Sequence, residues 1–173
     1  MKLVALAGVL VLMLVAGHEL HDSGRDDPRV ELYMLSPRYQ GPVLVIYDQP
    51  TGVGTLWHRD TAIYAVPSTG VVRVKASQPG RATAVTHVYG DAPNKALPYI
   101  GTCKASYQRL TDDRPIVCDT GFDASGTGIP DHIVAIVSDR KRLPENFDRT
   151  IFVFDSVVWG GKGMFHQRWS DPP

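Results

Sequence analysis

The sequence predicts an all-β domain, an antiparallel β-sandwich or small open barrel of about seven to nine strands with at most one short helix. Three observations predict it. From Arg29 onward, short apolar or alternating runs recur, each closed by Gly, Pro, Asp or Ser, which is the rhythm of strands separated by turns. Gly and Pro number 16 and 13 of 173 residues, above the usual roughly 12% for the pair, and they follow no period, which excludes a collagen-like repeat. Helical periodicity is thin, and confined to one segment near the C-terminus.

The chain divides into 1–17, 18–28 and 29–173. Met1-Lys2 carries one positive charge, and Leu3 to Ala16 then runs without a polar side chain, ending at Val15-Ala16-Gly17. That layout reads as a secretory signal peptide cleaved after Gly17, because a spanning helix needs about 20 apolar residues. The alternative is an uncleaved N-terminal anchor. Residues 18–28 read as a flexible mature N-terminus, and 29–173 as a single β-domain. The expected location is secreted or periplasmic, with no membrane contact after cleavage.

Within the domain, Val30, Leu32 and Met34 alternate with Glu31, Tyr33 and Leu35, as in a partly exposed strand, while Val43 to Tyr47 is apolar throughout and reads as central and buried. The intervening Pro37-Arg38-Tyr39-Gln40-Gly41 supplies turn residues, so the two strands read as a hairpin. Ala62–Val66 and Val71–Ala76 read as a second pair around Pro67-Ser68-Thr69-Gly70. Thr83–Tyr89, Lys104–Arg109, Pro115–Cys118, His132–Val137 and Thr150–Phe154 continue the series. Between the last two, Pro144 with Leu143 and Phe147 four apart allows one or two helical turns. Trp159 and Trp169 read as closing over a core edge.

Ser36-Pro37-Arg38-Tyr39-Gln40-Gly41-Pro42-Val43-Leu44-Val45-Ile46-Tyr47, followed by Tyr64-Ala65-Val66-Pro67-Ser68-Thr69-Gly70-Val71-Val72, resembles a functionally uncharacterised family of small exported bacterial β-domains. Its members open with Pro-x-Gly-Tyr-x-Gly and continue with Ile-Pro-x-x-Gly. Arg38 stands where the family has Gly, and Val66 where it has Ile. The resemblance spans about Leu35 to Ala76 and implies a β fold and an exported compartment, with no catalytic residues to transfer.

Cys103 and Cys118 are the only cysteines. An isolated pair in an exported chain predicts one structural disulfide joining neighbouring strands. Lys+Arg and Asp+Glu are 18 each, so no broad positive field exists to hold nucleic acid. Gly-x-Ser-x-Gly and the Walker pattern are absent, and Gly52-Val53-Gly54 lacks the third glycine of a dinucleotide loop. His18 and His21 lie three apart, not the four of a metalloprotease helix. Asp123-Ala124-Ser125-Gly126-Thr127-Gly128-Ile129-Pro130-Asp131 resembles an Asp-rich calcium loop with two acids replaced. Asp123, Ser125, Thr127 and Asp131 are therefore weak Ca²⁺-ligand candidates, against an ordinary polar connection that needs no cofactor. The chain as a whole reads as an exported, non-catalytic β-domain that binds or supports a protein or other envelope component. The alternative is a carboxylate- and histidine-dependent hydrolase assembled from distant strands, for instance from Asp119, Asp131, His87 and His132.

Overall fold

The computed structural model describes residues 30–78, 84–121, 131–161 and 169. The signal-peptide segment and most of the calcium-like loop, including Asp123, Ser125 and Thr127, lie outside them. Among the described residues, nine strands form two mixed sheets, backed by a helix, and no barrel closes. The first sheet has the order β3 (Leu56–His58), β4 (Thr61–Ala65), β1 (Val30–Leu35), β6 (Ala84–Tyr89). The second has the order β5 (Val71–Arg73), β2 (Gly41–Ile46), β9 (His132–Ser138), β8 (Ile116–Asp119), β7 (Tyr99–Thr102). A single turn of helix, α1 (Cys103–Tyr107), follows β7, and α2 (Leu143–Val158) follows β9.

The expected purely antiparallel pairing is corrected by this topology. β1 is parallel to both β4 and β6, and β2 is parallel to β5. Neither expected hairpin forms, because the turn after β1 and the turn after β4 each carry the chain from one sheet to the other. The two strand–turn–strand units are arches stacked side by side, with Tyr33 opposite Tyr64 in one sheet and Val45 opposite Val72 in the other.

Their turns interlock. Tyr39 N–H donates to Ser36 O at 3.0 Å, and Pro37 and Arg38 occupy the centre of that turn, with Arg38 at φ 61°. Proline first and a positive φ second is a type II arrangement, which ordinarily takes glycine at the second position. A non-glycine residue held there costs roughly 1–2 kcal/mol. The Tyr39 hydroxyl donates to Pro42 O and lies against Gly70, whose φ is +78°. Burial pushes the Tyr39 phenol up to about 12, against the lowering influence of Arg149.

β2 is apolar throughout because both its faces are covered. Val43, Val45 and Tyr47 enter the core between the sheets with Tyr33, Leu35 and Tyr64, while Leu44 and Ile46 meet Phe154 of α2. The parity of β1 is the reverse of what its apolar residues suggest. Glu31, Tyr33 and Leu35 point into the sandwich, and Val30, Leu32 and Met34 are half-buried on the other face.

Two further strand expectations are corrected to helix. Thr150–Phe154 lies inside α2, a helix of 16 residues rather than one or two turns, and Lys104–Arg109 begins within α1. In α2, Leu143, Asn146, Phe147, Thr150, Ile151, Phe154 and Asp155 are buried, the i, i+3, i+4 stripe of a helix lying on a sheet. That stripe wins over the local strand preference of Thr, Ile, Val and Phe because sheet two offers an apolar outer face to cover. Gly160 and Gly161, both at positive φ, end the helix, and Gly161 N–H donates to Asp155 O. Trp159 packs on the Leu44–Ile46–Phe154 cluster, and Trp169 sets its ring edge against Tyr107 and Phe147.

Cys103 and Cys118 are disulfide-bonded, with Cα atoms 5.0 Å apart. Cys103 directly follows β7 and Cys118 lies in β8, so the bond spans two parallel neighbours. Both are fully buried beside Ile116, Ile136, Leu143 and Phe147.

Candidate functional site

Two polar assemblies stand out, one sealed and one open. The sealed one centres on Glu31, which is 1% exposed between the sheets. The Tyr33 hydroxyl donates to its Oε2 at 2.8 Å, the Tyr47 hydroxyl donates to the same oxygen at 2.8 Å, and the two hydroxyls lie 2.9 Å apart. Burial pushes the Glu31 carboxyl up from its ordinary value, against the lowering influence of the hydrogen bonds from Tyr33, Tyr47 and Tyr64. Burial also raises the Tyr33 and Tyr47 phenols. Tyr64 stacks on Tyr33 with ring centroids 5.5 Å apart.

His87, opposite Tyr33 in β6, leans on the same ring at 5.2 Å, and its buried Nε2 has no hydrogen-bond partner. Burial lowers it from 6.5 to about 4. In the unfolded chain the imidazole binds its proton near pH 6.5. The neutral His87 therefore stabilises the fold fully above that pH, and the contribution is lost as pH falls toward 4. Across pH 7 to 5 this amounts to about 2 kcal/mol. His87→Phe is expected to remove that part of the acid sensitivity, read as a flatter dependence of urea midpoint on pH. Equal slopes in the two proteins would contradict it. Glu31 acts in the opposite sense, since a raised carboxyl favours the fold at low pH and the benefit fades as pH rises through its folded value.

The grouping named for the alternative hydrolase is not assembled on one face. His87 lies between the sheets, whereas His132 packs on Phe154 at 5.0 Å on the helix side of the second sheet. The Asp119 carboxylate accepts from the hydroxyl of exposed Tyr99, raising that phenol to about 12 chiefly through the hydrogen bond. Asp131 is exposed, and its carbonyl accepts from Tyr47 N–H at 2.9 Å. Among the described residues, no three His, Cys, Asp or Glu side chains are grouped as metal ligands.

The open assembly lies at one end of the sandwich. Parallel β1, β4 and β6 all finish there, β2 and β5 begin there, and antiparallel β9 finishes there with Val137 opposite Gly41. The segments 36–40, 66–70, 90–98, 111–115 and 139–142 are consequently brought together. Between them runs a cleft of about 750 Å³, lined by Arg38, Gln40, Tyr89, Asp91, Ala92, Lys95, Ala96, Leu97, Pro98, Arg114, Pro115 and Arg142. Four cations, each from a different loop, face one carboxylate.

Hydrogen bonds across the loops hold the cleft in shape. The Gln40 amide donates to Asp139 Oδ2 at 3.0 Å and accepts from Asp139 N–H at 3.2 Å, clasping the first arch to the turn before α2. Asp139 also accepts from Arg142 N–H at 2.9 Å. Burial works to raise its carboxyl, but the hydrogen bonds from Arg142 and Gln40 prevail and lower it. The Tyr89 hydroxyl donates to Tyr39 O at 3.0 Å. Loop 90–98 is tied at both ends, through Gly90 N–H to Leu35 O at one and through Leu97 N–H to His87 O and Val117 N–H to Pro98 O at the other, each at 2.8 Å.

Neither the sealed carboxyl nor the cleft is among the candidates that the sequence suggests. Arg38, following Pro37 at the turn position that takes a positive φ, marks a turn in the sequence but not the cleft beside it.

No family model matches the sequence, and no curated protein does. Among solved structures, the chain is similar to one of a protein from Bacillus anthracis named as a candidate lipoprotein, with 10% identity and a TM-score of 0.41 over 62% of this chain and 68% of that one.

Proposed function

We propose that this chain is an exported, non-catalytic binding domain of the cell envelope or extracellular space, and that the cleft at the crossover end is its binding face. The observation that carries the reading is the construction of that cleft: loops from both sheets and from the start of α2, cross-tied by Gln40–Asp139 and Tyr89–Tyr39, around a space of ligand size. The export reading rests on the apolar run of residues 3–16 and is supported by the buried disulfide. Among the described residues, no helix is long and apolar enough to cross a membrane. The Glu31 group belongs to the interior, where no substrate reaches it.

Two experiments test the reading. The protein recovered from its native compartment is expected to begin near His18 by mass spectrometry, and an intact Met1-Lys2 terminus in the membrane fraction would support the anchor instead. A photo-crosslinking residue at Ala92, in the cleft, is expected to yield an adduct in intact cells, whereas one at exposed Phe152 on α2 yields none. Adducts from Phe152 alone would place the binding face elsewhere.

A further inference from the structure

We infer that the cleft takes a compact organic anion, a ring such as a sugar bearing a phosphate or carboxylate group. This deepens the reading of the cleft as the binding face and rests on it.

The charges around the cleft are unequal in their commitments. Arg114 pairs with Asp112 at 2.8 Å, and Arg142 stands 3.9 Å from Asp139, so each has a carboxylate nearby. Arg38 and Lys95 also line the cleft, and neither makes an ion pair among the described residues. In a chain whose formal charges cancel, two uncompensated cations on opposite loops are an anion's complement. Arg38 is exposed and held at φ 61°, a costly backbone for a residue that carries a side chain. Strain of that kind is retained where it positions a group for use. The guanidinium offers a planar fork that engages phosphate or carboxylate through two hydrogen bonds, and Lys95 adds a point charge.

The floor of the cleft gives the ligand's body. Tyr89, Leu97 and Pro98 present apolar surface of the kind on which a sugar or similar ring lies flat. Asp91, also in the lining, can accept hydrogen bonds from hydroxyl groups of such a ring. A volume of about 750 Å³ has room for one or two such rings. The cross-ties already described leave little to be ordered on binding.

The test is calorimetric titration of the folded protein with glucose 1-phosphate, glucuronate and glucose, using wild type, Arg38→Gly and Lys95→Gln. Arg38→Gly is chosen because glycine suits the positive φ, so the fold is kept or strengthened while the cation is lost. At least one of the two charged sugars is expected to bind at least tenfold more tightly than glucose, and the stronger of them identifies phosphate or carboxylate as the group recognised. Arg38→Gly is expected to weaken that ligand tenfold or more with an undiminished thermal midpoint, and Lys95→Gln to weaken it severalfold. Equal binding of glucose, or unchanged affinity in both variants, would overturn the anion assignment. Silence from all three sugars together with crosslinking at Ala92 would also overturn it while leaving the cleft as the binding face; silence in both experiments would remove both readings.

Discussion

Gly70→Ala is expected to lower stability by about 3–6 kcal/mol. At φ +78° an alanine is already disfavoured by roughly 1–2 kcal/mol. Its Cβ would also fall on the Pro42 carbonyl oxygen and against the Tyr39 hydroxyl, where the obstruction is backbone and cannot swing aside. Forced displacement in packed surroundings costs about 1–3 kcal/mol more. Loss of the Tyr39–Pro42 hydrogen bond adds about 1 kcal/mol. In a chain of this size the melting midpoint should drop by roughly 10–15 °C. The matched control is Gly160→Ala, also at positive φ but with nothing near its Cβ, which should cost only the backbone share. Equal losses at the two positions would show that the contact between the arches contributes nothing.

The same contact shows what was and was not readable beforehand. Segments opened by Pro and closed by Gly at 37–41 and 67–70 mark turns correctly, but turn chemistry is local and does not say whether the next strand meets its predecessor edge to edge or face to face. Here it is face to face, so each expected hairpin becomes an arch between sheets. The uniform apolarity of β2 was legible because burial on both faces leaves no polar positions. β1 was misread for the converse reason: Glu31 and Tyr33 look like surface residues until Tyr47 and Tyr64 supply partners from distant segments. Leu143 and Phe147 announced a helical face, and the buried stripe continues through Ile151 and Phe154. The intervening Thr150, Phe152 and Val153 imitate a strand, and only the apolar outer face of the second sheet settles the contest. The short strands β3 and β7 carried no periodic signal at all. The cleft was illegible as a site, since its four cations come from four loops separated by tens of residues.

Removal of the disulfide should be the next largest change. The bond closes a loop with a sequence separation of 15, for which restriction of the unfolded chain contributes about 3 kcal/mol. The Cys103→Ala/Cys118→Ala protein is therefore expected to melt roughly 6–12 °C below wild type. Reduced wild type should fall by a similar amount, since both sulfurs sit in a fully buried cluster with Phe147 and Leu143. Thiol labelling of the native protein under denaturing, non-reducing conditions should find no free cysteine. A double variant that melts within about one degree of wild type would mean that β7 and β8 are held in place by their packing alone.

The pairing of β2 with β9 also governs when the chain can acquire its structure. Gly41 lies opposite Val137 and Ile46 opposite His132, so β2 has no antiparallel neighbour until residues 132–138 have been made. β1, likewise, takes its partners from residues 61–65 and 84–89. Pairings so far apart in sequence are slow to close, on the millisecond-to-second scale of β-rich topologies. The first sheet has all four of its strands by residue 89, whereas the second lacks β9 until residue 138. The two layers therefore become complete in turn, and the one that α2 covers is the later.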